Sequence, residues 1–300
     1  MTKQFKVLIL GYGEMGHAME YLLRDQCHLD IWEKYPEDNY QSVLLEDAVT
    51  VADVILFCLP VNPHYEISRD IAPLLKSGCL CLSIAKGLDE AGKTAAQIFA
   101  EVFGERQPYG FLYGPMISEE IRAGRSAFAQ IACSRTDSYT MVKKLFEGTH
   151  LFTETTSDIN GISWSVILKN VYALAFGMAD ELQLGDNMRG FLAVTALQEL
   201  DEIVRNMGGQ SGSPYHLAGL GDLITTATSE ASHHHELGRL LANESTEGIE
   251  GEGIHTLKMV SKYNLFNKSD YPLFNLIHNI VTAPHNVHKQ FVAYIKHKYH

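Results

Sequence analysis

Lys169 stands inside "WSVILKNVYALAF", a helical stretch in which Trp164, Val166, Ile167, Leu168, Val171, Leu174 and Ala175 cover nearly every face. A helix of that kind is buried, so a lysine within it must be paired, neutralised or turned toward a cleft, because an isolated buried ammonium is costly. General acid/base chemistry and an internal salt bridge are both open to it. Asn170, next to it, is either a hydrogen-bonding partner for a substrate or a residue with no such role. Asp222 lies in the glycine-rich turn "GLGDLITTATS" with Thr225, Thr226 and Thr228. One carboxylate among small hydroxyls can cap helices, or it can set the charge state of a nearby lysine. Lys86 directly follows the apolar "CLSIA", which puts it at the carboxyl end of a strand, as an anion contact or as a solvated loop lysine.

Two further constellations concern phosphate. In "LGYGEMG", Gly11, Tyr12, Gly13, Glu14, Met15 and Gly16 follow a strand and open a helix, where free amides and the helix dipole suit a pyrophosphate. Glu33 closes the second strand, placed to accept ribose hydroxyls and to repel a 2'-phosphate, which favours NAD(H) over NADP(H). A solvated strand-end carboxylate is the other reading, and Lys34 beside it works against discrimination. In "SEASHHHELG", Ser232 is a candidate helix cap and His233, His234 and His235 fill the first turn. Adjacent helical residues point about 100° apart, so three in a row do not converge on a metal, and none is expected. They are phosphate contacts or solvated helix-start residues.

The elements that must position these groups change character along the chain. "FKVLIL", "HLDIW", "DVILFCL" and "CLCLSIA" are short apolar strands separated by helical stretches, the alternation of a Rossmann-like, doubly wound parallel sheet. From about Asn160 the strands stop, and long helices follow over 163–182 and 188–208. The expected organisation is therefore a dinucleotide-binding domain over 1–155 and an all-helical substrate-binding and catalytic domain over 156–300. A formal net charge of -12 argues against a nucleic-acid partner. The strand-to-glycine start has no cleavage site, and no run of about 18 apolar residues is evident, so a cytoplasmic protein without membrane insertion is expected. Five cysteines, with Cys79 and Cys81 on one face of a strand, are expected as buried thiols.

Six ordered segments, "GYGEMGHAM", "IAKGLDE", "YGPMISEEI", "LKNVYALAFGMADELQLGDN", "GLGDLITTATS" and "EGEGIHT", resemble the NAD(P)-dependent glycerol-3-phosphate dehydrogenases of the bacterial type. The resemblance implies reversible reduction of dihydroxyacetone phosphate to sn-glycerol 3-phosphate, feeding phospholipid biosynthesis. It implies Lys169 as the proton donor and acceptor, with Asn170 and Asp222 beside it in the catalytic set. Lys86, Gly114, Thr226, His233 and His234 become the substrate-binding set. Ser118, Glu252 and again Lys86 join the glycine loop and Glu33 at the cofactor.

Three departures bear on the substrate. His233 and His234 stand where the family has Arg-Asn, replacing a permanent bidentate fork by imidazoles that hold charge only at lower pH. Phosphate binding is then expected to be weaker or pH-dependent, or the substrate to differ. Met116 replaces a small polar residue near the substrate, and Ser163, Ser165 and Val166 replace Glu, Gly and Gly ahead of the lysine. The alternatives are a reductase of another 2-oxo compound, of ketopantoate or hydroxyacid type, and a non-catalytic nicotinamide-binding module. Retention of Lys169, Asn170, Asp222 and Thr226 together speaks against the second. A homodimer is the default expectation for such a chain.

Overall fold

A computed structural model describes residues 5–36, 42–229 and 232–299. The chain divides into two compact units, Met1–Asp89 with Lys93–Ile159, and Asn160–His300 with Glu90–Gly92.

The first unit alternates strand and helix: β1 (Lys6–Leu10), α1 (Glu14–Leu23), β2 (His28–Trp32), α2 (Leu45–Val51), β3 (Val54–Phe57), α3 (His64–Ile71), β4 (Leu80–Ser83), α4 (Ala95–Phe103), β5 (Tyr109–Tyr113), α5 (Ser118–Arg122), β6 (Ala127–Cys133), α6 (Thr136–Phe146) and β7 (Leu151–Thr155). The seven strands form one sheet in the order β2-β1-β3-β4-β5-β6-β7. Pairing is parallel from β2 through β5; β6 runs antiparallel to β5, and β7 parallel to β6. The inner strands are apolar without alternation because both faces are covered. Val7, Ile9, Val54, Leu56, Leu80 and Leu82 share one face with Ala18, Met19 and Leu22 of α1. On the other, Phe57 meets Phe99, and Phe99 meets Phe111. Four of the strands are those expected from the sequence, β2 with the same bounds and β1, β3 and β4 slightly shorter, while β5, β6 and β7 are additional. Cys27, Cys79, Cys81 and Cys133 are buried free thiols, and Cys58 is partly buried.

The second unit contains α7 (Ile159–Glu181), α8 (Asp186–Asn206), α9 (Asp222–Thr228), α10 (His233–Ala242), α11 (Glu252–Tyr263), α12 (Pro272–Thr282) and α13 (Val287–Tyr299). Contrary to the sequence expectation, α7 is long and apolar enough to cross a membrane, with a mean hydropathy of 1.3, yet that stretch is entirely buried inside the protein. It is a buried helix of this unit. Its crossing with α10 is backbone against backbone: a Cβ on Gly177 would lie 2.0 Å from the His235 carbonyl oxygen, and one on Gly238 2.3 Å from that of Leu174. Two glycines let these helices touch.

Candidate active site

In the first unit the glycine loop leaves β1 where β2 lies on one side and β3 on the other, the switch point at which doubly wound sheets bind ligands. Gly11 has φ +92°, and a Cβ at Gly16 would lie 2.2 Å from the Gly11 carbonyl oxygen, so the chain's own geometry demands both. Gly13 differs, because a Cβ there would meet no protein atom within 4 Å. Its smallness serves no internal packing. It suits close approach of a ligand to the backbone at the start of α1, where Gly13 is the N-cap and no side chain caps the helix. The loop thus fits a dinucleotide's pyrophosphate.

Glu33 is brought to this loop. Its Oε2 accepts the Tyr12 N–H at 2.8 Å and its Oε1 the Tyr35 N–H at 3.2 Å. A carboxylate has about four acceptor positions, so a carboxylate so fixed retains capacity for ribose hydroxyls. Glu14 stands in the first turn of α1, where Ser118 Oγ donates to its Oε2 at 3.0 Å and Arg122 Nη1 lies 3.5 Å away. Arg122 was not singled out in the sequence; it partly neutralises a carboxylate that would otherwise repel an anion at the loop. Met15 turns its side chain partly into the core.

Lys86 and Gly114 also meet, across the ends of β4 and β5: Lys86 Nζ donates to the Gly114 carbonyl oxygen at 3.1 Å. Met116, expected near the substrate, is instead 5% exposed and packed in the core with Ile84, Leu112 and Ile121. An apolar side chain three residues beyond the strand finds more contact inward than outward, so Met116 serves packing here.

The second unit assembles the catalytic candidates. After the 3₁₀ turn Ser213–Tyr215, the π-turn Leu217–Gly221 delivers the chain into α9, with Asp222 as its first residue. Asp222 and Thr226 are four residues apart and therefore share a face. That face meets Lys169: Nζ lies 3.1 Å from Asp222 Oδ2 and donates to Thr226 Oγ1 at 2.5 Å. Thr226 Oγ1 donates its own proton to the Asp222 carbonyl oxygen at 2.7 Å, which turns an oxygen lone pair toward the ammonium. All three are buried, Lys169 at 5% and Asp222 at 3% exposure. Asn170 is buried as well, and its backbone oxygen would lie 2.6 Å from a Cβ on Gly253, so α11 begins directly against it, with Glu252 adjacent. Burial raises the Glu252 carboxyl above the usual range, with His255 partly opposing the rise.

Ser232 caps α10 as expected, its hydroxyl accepting the His235 N–H at 3.3 Å. The three imidazoles go to three different partners. His233 Nε2 bonds the Glu250 carbonyl oxygen at 2.7 Å, His234 Nε2 accepts the Gly253 N–H at 3.2 Å, and His235 Nε2 bonds Asp180 Oδ2 at 2.7 Å. His233 stays exposed while its ring is bonded, and the first turn is stapled to the 250–253 segment and to α7. Nothing in the sequence signalled the Asp180 partner, which lies 55 residues away.

Comparison with known proteins returns one family for both parts of the chain. The model for the NAD-dependent glycerol-3-phosphate dehydrogenase N-terminus matches residues 33–139, and that for the C-terminus matches residues 158–291. The chain is similar to glycerol-3-phosphate dehydrogenase [NAD(P)+] of Synechococcus sp. (strain JA-3-3Ab), 30% identical with 93% of this chain and 92% of the relative covered. It is likewise similar to that of Fusobacterium nucleatum, 29% identical with 87% and 88% covered. Among solved structures, glycerol-3-phosphate dehydrogenase from Coxiella burnetii shares the fold with a TM-score of 0.82 at 21% identity, covering 96% of this chain and 99% of that one.

Proposed function

The chain belongs to the NAD-dependent glycerol-3-phosphate dehydrogenase family, and from that premise we propose that it interconverts dihydroxyacetone phosphate and sn-glycerol 3-phosphate as an oxidoreductase acting on a carbinol. The observation that carries this reading is the buried set of Lys169, Asp222 and Thr226. In the direction of reduction the Lys169 ammonium gives a proton to the carbonyl oxygen, and in oxidation the neutral amine takes it back. Asp222 holds the ammonium by charge and Thr226 aims it, so the ion pair is part of the machinery rather than a competitor to it. The glycine loop and Glu33 hold the cofactor, with Glu252, Ser118 and Lys86 contributing. When bound, that cofactor supplies the hydride.

Lys86, Gly114 and His233 are assigned to the substrate. The hydrogen bonds favour His233 over His234 as the phosphate partner. A carbonyl only accepts, so His233 Nε2 carries a proton, and a second proton at Nδ1 leaves the Glu250 bond intact. His234 Nε2 accepts an N–H, and protonating that atom would break the bond to Gly253. NAD(H) preference, a homodimer and a cytoplasmic setting belong to the same proposal. Burial of Met116 removes one of the three departures that bear on the substrate.

Lys169→Ala tests the assignment. Turnover should fall by roughly 100- to 10,000-fold, the range for losing a general acid, while NADH binding measured by fluorescence persists. Near-normal turnover would overturn it.

A further inference from the structure

His64 is wholly buried in the first unit, at 0% exposure, and belongs to none of the groups assigned so far. It opens α3, just after the segment that follows β3. Its ring lies 5.6 Å from Phe99 in a stacked arrangement and 5.0 Å from Phe57, which fix its plane. Both nitrogens are used: Nδ1 bonds the Pro60 carbonyl oxygen at 2.8 Å, and Nε2 bonds Ser83 Oγ at 2.9 Å. Because a carbonyl only accepts, Nδ1 carries the proton, Nε2 offers a lone pair, and the Ser83 hydroxyl donates to it. Ser83 Oγ in turn accepts the Ala85 N–H at 3.2 Å. Burial pushes the ring's pKa down to about 4, although the bond to Pro60 opposes this, so the imidazole is neutral where enzymes of this kind work.

The chain of bonds has a direction and an end. From Pro60 it passes through the His64 ring and the Ser83 hydroxyl to the backbone of Ala85, and the next residue is Lys86, whose Nζ meets the Gly114 carbonyl oxygen at 3.1 Å. The turn that leaves β4 is thereby pinned to the segment that leaves β3. We propose that His64, acting through Ser83, is a positioning residue that sets the direction in which Lys86 leaves the sheet. The inference rests on Lys86 being a contact of the substrate phosphate.

Four variants test it: Ser83→Ala, His64→Asn, His64→Gln and, as reference, Lys86→Met. Asparagine reaches about as far as Nδ1 and keeps the Pro60 bond while losing Ser83; glutamine reaches about as far as Nε2 and keeps the Ser83 acceptor. Ser83→Ala and His64→Asn should raise KM for dihydroxyacetone phosphate about three- to tenfold, the scale of one lost buried hydrogen bond. Turnover should stay within about twofold, since only uniform substrate binding is lost. His64→Gln should lie closer to the parent. If Lys86→Met raises KM while Ser83→Ala and His64→Asn lower only the melting temperature, the positioning role is overturned and His64 is a packing residue. If Lys86→Met leaves KM unchanged, the reading of Lys86 itself fails and takes the inference with it. Ser83→Ala, the mildest change, decides the matter should a His64 variant fail to fold.

Discussion

Replacing Glu33 by glutamine should shift cofactor choice without dismantling the loop. The amide oxygen still accepts the Tyr12 N–H, while the negative charge facing a 2'-phosphate is gone. The ratio of kcat/KM for NADPH over NADH is expected to rise about tenfold, the effect of one like-charge contact in a half-solvated site. An unchanged ratio would mean that the carboxylate serves the loop alone. His64 carries a second prediction at this scale. Its folded pKa of about 4 lies below the ordinary histidine value, so below about pH 6.5 the unfolded chain binds the proton more readily than the folded one. Its contribution is complete above that value and is lost as pH falls through about 4, on the order of 3 kcal/mol in all. Urea unfolding at pH 7 and pH 4.5 should therefore show a smaller drop for His64→Phe than for the parent; equal drops would contradict the assignment. Lys169 was legible because a charge in an apolar helix is conspicuous. His64 was not, because its partner Ser83 is 19 residues away and each looks ordinary in its own segment.

Helix α10 is placed by contact, and that contact is testable. A Cβ at Gly177 would meet the His235 carbonyl oxygen at 2.0 Å, too close for any rotamer to relieve. Gly177→Ala should force α7 and α10 apart at a cost of about 1–3 kcal/mol, seen as a lower melting temperature, and should raise KM for the phosphorylated substrate because His233 rides on α10. An unchanged melting temperature would mean that the crossing is looser than described. Both helices were readable from the sequence, α7 as a long apolar stretch covering nearly every face and α10 from its Ser232 cap and the stripe of Leu237, Leu240 and Leu241. Of the inner strands, β1, β3 and β4 were readable as apolar runs, whereas β5 and β6 were not singled out. β7 was not: "LFTET" lies at the sheet edge, with only Leu151 buried, and the pairing that makes it a strand comes from β6 across the sheet.

At the level of the molecule, the chain comprises two compact units. One presents a glycine loop at a sheet switch point, and the other buries a lysine, an aspartate and a threonine against one another. A net charge of -12 means that an anionic substrate is recognised by local cations rather than by the overall field. The family was legible from six ordered segments. The orientation of three consecutive histidines was not, because it depends on Asp180, Glu250 and Gly253, which only the fold brings to them.

Reduction of dihydroxyacetone phosphate is measured first, by following the loss of NADH absorbance with the purified protein from pH 5.5 to 8.5. Saturable turnover is the predicted result. Absence of turnover with either NADH or NADPH at every pH would contradict the account and direct attention to non-phosphorylated 2-oxo acids.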